Sequence, residues 1–172
     1  MGGGKIKRWK PYFMNDIFDI SSSVRLTKDD MIVGNRPFIG ASDSNNGITA
    51  FVSNSNSSID CNVLGVNYNG SVVENFYHPY EAIFSDDVKR LHLKNYPDNK
   101  YVLLFIKTSI LKQKSKYEYG YKFNGERMER QCIMLPEAQD GQPDYKYMEY
   151  KMKSIELLQI QRLIISRNIS LD

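Results

Sequence analysis

The chain has few of the residues that carry chemistry. Its 172 residues include two cysteines and two histidines. Cys61 and Cys132 lie far apart, each in an apolar, strand-like run, and neither has a spacing partner. That argues against a disulfide framework and predicts two reduced core thiols in a cytoplasmic protein. With only His78 and His92 beside them, no metal-ligand spacing exists and no metal site is expected. No apolar run reaches the roughly 18 residues that a membrane-spanning helix needs. The basic lead with Lys5, Lys7, Arg8 and Lys10 is not followed by an apolar stretch of signal-peptide length, which argues against secretion.

Catalytic motifs are missing too. Gly2-Gly3-Gly4-Lys5 lacks the spacing and the preceding strand of a phosphate loop, and no GxGxxG follows a strand. The histidines have no Ser or Cys partner in a recognisable nucleophile motif, and His78, between Tyr77 and Pro79, reads as structural or solvent-facing. No nuclease-like D…ExK set stands out, nor an NPPY-like segment for methyl transfer from S-adenosylmethionine. The pairs Asp29-Asp30 and Asp86-Asp87 read as turn or helix caps, since neighbouring carboxylates accept from free backbone amides. No catalytic residue and no cofactor is expected.

A strong charge of one sign is also absent, the net being +3. Its distribution says more. Residues 5–10 hold four basic side chains and no acid, and residues 107–130 hold seven basic against three acidic. Such local excess attracts phosphate, or else forms a solvated lysine-rich helix face.

What is present reads as an α+β chain. Residues 12–90 give short, mostly antiparallel strands divided by turn signals: 37–42, 48–53, 80–84 and 88–93, with an exposed Ser/Asn loop at 53–60. Asn69-Gly70 between residues 62–68 and 71–77 is a strong hairpin signal. Residues 101–106 form an apolar block continued by Ile110 and Leu111, which predicts a helix buried at its start and running out to solvent among lysines. Residues 131–135 read as a strand stopped by Pro136.

Asp144 then reads as an N-cap, and residues 145–172 contain neither glycine nor proline. If helical throughout, that segment spans roughly 42 Å, more than a compact domain of this size requires. Met148, Met152, Ile155 and Leu158 recur at helical spacing, and with Leu163 they are candidates for a seam with a partner helix. The alternative is a helix packed back on the sheet. The expected division is a basic lead at 1–10, one domain at 11–143, and a docking helix at 144–172. Within the domain, Arg36, Ser42, Asn45, Asn46, Lys122, Asn124, Arg127 and Arg130 lie in polar loops and suit hydrogen bonding to phosphates and base edges.

The order of these segments resembles the DNA-specificity domains of type I restriction-modification systems. Residues 6–20, with Trp9, Phe13 and Ile17-Phe18-Asp19-Ile20, look like the family's opening signature. Arg36-Pro37-Phe38-Ile39-Gly40-Ala41-Ser42 followed by Asn45-Asn46-Gly47-Ile48 is similar to its next motif. Phe76-Tyr77 and Phe84-Ser85-Asp86-Asp87-Val88 match its central strands. Tyr119-Gly120-Tyr121-Lys122-Phe123, Ile133-Met134-Leu135-Pro136 and Gly141-Gln142-Pro143-Asp144-Tyr145 resemble its ending.

The resemblance implies a target-recognition domain that binds double-stranded DNA, with methyl transfer and cleavage left to separate methyltransferase and restriction subunits. The family's subunits usually hold two such domains joined by paired long helices. This chain has one domain, no internal repeat and one candidate helix. It therefore reads as a half-subunit that pairs with a second copy through its helix, as a fragment of a longer polypeptide, or as part of a related two-subunit system. Two rivals from other classes stand beside it: a small metal-dependent nuclease or transferase using Asp86 or Asp87, and a structural adaptor that does not bind DNA.

Overall fold

The computed structural model describes residues 6–117 and 123–167. In chain order these form β1 (Trp9–Phe13), α1 (Met14–Ile17), β2 (Phe18–Ser21), β3 (Val33–Ile39), β4 (Ile48–Val52), β5 (Ile59–Asp60), β6 (Val63–Asn67), β7 (Asn75–His78), β8 (Ala82–Phe84) and β9 (Val88–Leu93). Then follow α2 (Lys100–Leu111), α3 (Gly125–Glu129), β10 (Cys132–Pro136) and α4 (Tyr145–Ser166). The architecture is α+β, as the sequence predicts.

Three sheets result. One has the order β2-β9-β6-β7 and is antiparallel throughout. A second has the order β4-β3-β8-β5, with one parallel pair between β3 and β8. The third is a two-stranded antiparallel ribbon of β1 and β10.

α2 lies against the first sheet and holds the main core. Its Asn99 cap accepts from the amides of Tyr101 and Val102 at 2.9 and 3.4 Å, replacing bonds that the first helical turn cannot make. Val102, Leu103, Ile106 and Ile110 share one face at three- and four-residue spacing and are fully buried with Leu64, Val66, Leu91, Phe123, Ile133 and Leu135. Burying each such side chain stabilises the fold by about 1.5–3 kcal/mol before chain entropy is counted. Smaller clusters around Ile39 and Phe84, and around Phe38 and Ile83, fill the second sheet.

Several local expectations change. The hairpin at Asn69-Gly70 exists, but β6 and β7 pair from Val66↔Asn75 outward, leaving residues 67–74 between the pair instead of a two-residue turn. Within it Val73 adopts φ 70° and is fully buried, so side-chain burial overrides the local turn preference. Cys61 is exposed and Cys132 half-buried, so neither is the core thiol expected. Asn62 takes φ 52° and turns the chain before β6 starts at Val63, which leaves Cys61 outside. Pro136 ends β10 from within, as the last paired residue. His78 is fully buried, settling its alternatives in favour of a structural place.

α4 begins as predicted. The Asp144 carboxylate accepts from the Tyr147 amide at 3.0 Å and also binds Lys7. Burial raises its pKa, but the bonds from Lys7 and Tyr147 outweigh that and hold it below the usual carboxylate value. At 22 residues α4 is roughly 33 Å long and is capped at Arg167; residues 168–172 of the predicted helix lie outside the described residues.

Candidate nucleic-acid interface

The polar turn after β3 is built from backbone geometry. Asn45, Asn46 and Gly47 have φ of 49°, 53° and 75°, three left-handed residues in a row, which explains why Asn and Gly stand there. The Gly40 amide donates to the Gly47 carbonyl at 2.9 Å, and the Ser42 hydroxyl pairs with that of Ser44 at 3.0 Å. From the end of β6 the Asn67 side chain donates to the Ser42 carbonyl, and from the loop beyond it the Ser71 backbone amide donates to the Ala41 carbonyl. The turn is thus pinned, and it leaves the Asn45 and Asn46 side chains in solvent.

α3 carries the second group. The Asn124 side chain caps it, accepting from the Arg127 amide at 3.0 Å. Arg127 is half-buried and Arg130 exposed. Both line a polar hollow of about 410 Å³ with Tyr117, Asn124, Glu126 and Gln131. Tyr117 donates to the Gln131 side chain at 2.5 Å, and Gln131 in turn donates to that of Gln113 at 3.2 Å, fixing the hollow's wall. Lys122 lies outside the described residues.

Two expected contacts are tied into the fold. Arg36 donates to Glu81 at 2.8 Å and to the Asn54 carbonyl at 2.6 Å, bracing β3. Asn124 spends one oxygen on its cap. Of the lysines in the basic segment, Lys114 pairs with Glu74 at 2.5 Å, and Lys107 sits 5.1 Å from the Phe76 ring, its pKa lowered by burial. Lys112 and Lys116 are exposed.

Sequence reasoning missed Lys89. It lies on β9, 4.9 Å from the Tyr68 ring, and donates to the Ser22 hydroxyl at 2.6 Å. A Cβ placed on Gly125 would stand 3.8 Å from its Cε, so Lys89 adjoins α3. It links the Arg127/Arg130 hollow to the 67–71 loop, and so to the Asn45-Asn46 turn. A lone lysine in a strand gives no signal in sequence; the approach of its side chain to Gly125 arises only in the folded chain.

The expected partner seam divides along α4. Met148 is fully buried in the domain's own core, so its side chain is not offered at the surface; Tyr145 beside it stacks on Tyr96 at 4.7 Å. Glu156 ties the middle of α4 to α2 through Lys100 and Tyr101, each at 2.7 Å. Met152 and Ile155 share an apolar groove of about 540 Å³ with Trp9, Phe105 and Met134. Beyond it Leu158 and Leu163 stand more than half exposed.

A charged cluster lies apart from both surfaces. Asp60 accepts from Arg90 at 3.2 Å and from His92 at 3.1 Å, and the other His92 nitrogen reaches Asp98 at 2.7 Å. The bond to Asp98, joined by that to Asp60 and the charge of both carboxylates, lifts His92 to about 9 against the opposing effect of burial. Among the described residues no group of three or more His, Cys, Asp or Glu side chains is placed to hold a metal ion, and no helix is long and apolar enough to cross a membrane.

Comparison with protein families matches residues 6–165 to the type I restriction modification DNA specificity domain. The chain belongs to this family. A curated relative, the type II restriction enzyme BgcI specificity subunit from Heyndrickxia coagulans, is 67% identical over 148 residues. The match covers 86% of this chain and 43% of that relative, so this specificity-domain chain spans less than half of the relative's length. Two solved structures share the fold. The type I restriction-modification S subunit from M. genitalium matches at TM-score 0.60 and 16% identity, over 94% of this chain and 43% of that one. The HsdS subunit from Thermoanaerobacter tengcongensis matches at TM-score 0.62 and 12% identity, over 99% and 42%.

Proposed function

We propose that this specificity-domain chain reads one half of a split duplex target and directs separate methyltransferase and restriction subunits to it, without carrying out chemistry itself. The observation that carries this reading is the family match over residues 6–165, in a chain spanning 43% of a restriction-enzyme specificity subunit. One domain meets one half-site. Arg127 and Arg130, with Lys122 nearby in sequence, grip phosphates, while Ser42, Asn45 and Asn46 approach base edges. Asn124 and Arg36 hold the loops that present them.

The exposed stripe of Ile155, Leu158 and Leu163 offers a seam for a second helix, from another copy of the chain or from further polypeptide. Pairing would place two recognition domains at a fixed spacing.

The test is duplex binding by the full chain across a salt series. Affinity should fall steeply between about 50 and 200 mM salt, because bound phosphates release counterions. Arg127→Ala with Arg130→Ala should weaken binding about tenfold or more and reduce the salt slope by about two. No duplex affinity at low salt would overturn the reading, and an unaltered slope in the double variant would remove α3 from the interface.

A further inference from the structure

Beside the Asn45-Asn46 turn lies a groove that the sequence expectation did not include. It measures about 820 Å³ and is lined by residues of both the 25–28 segment and the turn at 85–87. Arg25, Thr27, Lys28, Asn69, Asp86 and Asp87 supply its polar lining. Met31, Phe38 and Ala50 line the space between them, and Gly40 and Ala41 connect it to the Asn45-Asn46 turn.

The acidic turn at 85–87 is pinned by hydrogen bonds. The Ser85 amide donates to the Ile39 carbonyl at 2.9 Å and the Tyr68 amide to the Asp87 carbonyl at 3.1 Å. Asn69 donates to the Asp87 carboxylate at 2.8 Å. Asp86 is left at the crest of this pinned turn, half-exposed. Among the described residues, neither Asp86 nor Arg25 nor Lys28 makes a side-chain hydrogen bond or an ion pair.

A groove lined by two cations and a carboxylate that are unpaired among the described residues suits a ligand that carries both anions and amino donors. Duplex DNA has both: phosphates on its backbone, and the exocyclic amines of cytosine and adenine in its major groove. The same carboxylate beside phosphates alone would only repel them. Lys89, stacked on Tyr68 next to Asn69, continues the cationic path from this groove to α3.

We propose that this groove reads a base pair: Asp86 accepts from the N4 amine of cytosine or the N6 amine of adenine, while Arg25 and Lys28 hold flanking phosphates. The proposal rests on the DNA-recognition reading above and adds to it a specificity-determining residue. Asp86 serves as an acceptor only, and no bond is made or broken.

The experiment is selection by the full chain from a randomised duplex pool, followed by titration of the selected site and of an unrelated duplex. Asp86→Asn should lose roughly five- to tenfold of the preference at one position, since an amide offers a donor as well as an acceptor. Its affinity for the unrelated duplex should rise, because a negative charge beside phosphates is gone. Arg25→Ala with Lys28→Ala should weaken both duplexes alike and lower the salt slope by about two, leaving the selected sequence unchanged. This second variant tests the groove even if Asp86→Asn does not fold.

If the wild-type chain selects no sequence, the DNA-recognition reading falls and this proposal with it. If the wild type selects a site, Asp86→Asn selects the same one with equal preference, and the basic pair leaves the salt slope intact, the groove proposal alone is overturned and the groove is left to a protein partner.

Discussion

Asp60 accepts from both Arg90 and His92, and His92 reaches on to Asp98, whereas Arg25, Lys28 and Asp86 line a groove without pairing among the described residues. The first set sits within the fold: the Arg90 side chain is 10% exposed and that of Asp60 19%. Charges taken that far from water are tolerable only when each meets an opposite partner. The second set stays in contact with water, so leaving it unpaired costs the fold little. One cluster joins β5, β9 and the turn before α2; the other remains available to a ligand. Charge content in the sequence does not distinguish them, and pairing does.

Asp60→Ala is the strongest way to break the comparison. It removes the acceptor of both cations and strands Arg90, whose remaining side-chain bond is to the Ser22 carbonyl at 2.7 Å. Loss of about 3 kcal/mol of folding stability is expected, read from the urea midpoint. A loss below about 1 kcal/mol would place this cluster with ordinary surface ion pairs and erase the contrast.

The same division between committed and available side chains runs along α4. Met148→Ala should cost about 2–3 kcal/mol, because it leaves a cavity among Tyr145 and the core under α2. Leu158→Ala, ten residues on, should change the isolated chain by less than about 0.5 kcal/mol. Equal costs would mean that the outer part of α4 packs within its own chain and offers no seam.

Much of this was legible in the sequence. The cap at Asp144, the turn residues Asn45-Asn46-Gly47, and the apolar face of α2 follow from local chemistry that reads the same in any context. What local patterns leave open shares one cause. Met148 and Leu158 both fit one helical stripe, and periodicity does not say where the domain beneath the helix ends. Cys61 sits in an apolar stretch, but a left-handed Asn62 turns it outward. Arg36 and Lys89 are decided by partners 45 and 67 positions away, Glu81 and Ser22, which no local pattern contains. The groove flanked by Arg25 and Asp86 is likewise made by two segments that meet only in the folded chain.

The smallest expected effect is the pH dependence, which sharpens the comparison by removing charge from one cluster without mutation. His92 is raised from 6.5 to about 9 in the folded chain, so its contribution to stability is fully present below pH 6.5 and is lost as pH rises through 9. His78 works in the opposite sense. Burial lowers it from 6.5 to about 4, so the fold favours its neutral form; that stability is present above pH 6.5 and is lost as pH falls through 4. Its Nδ1 lies 3.3 Å from the Tyr80 hydroxyl, and its Nε2 faces Gly65 and Phe84 with no hydrogen-bond partner among the described residues. Urea midpoints measured across pH should therefore decline on both flanks. His92→Gln should flatten the alkaline flank and leave the acid flank in place, since the two histidines share no partner. An alkaline decline that survives His92→Gln would assign it to other groups, and the paired cluster would then be a fixed brace without a titrating member.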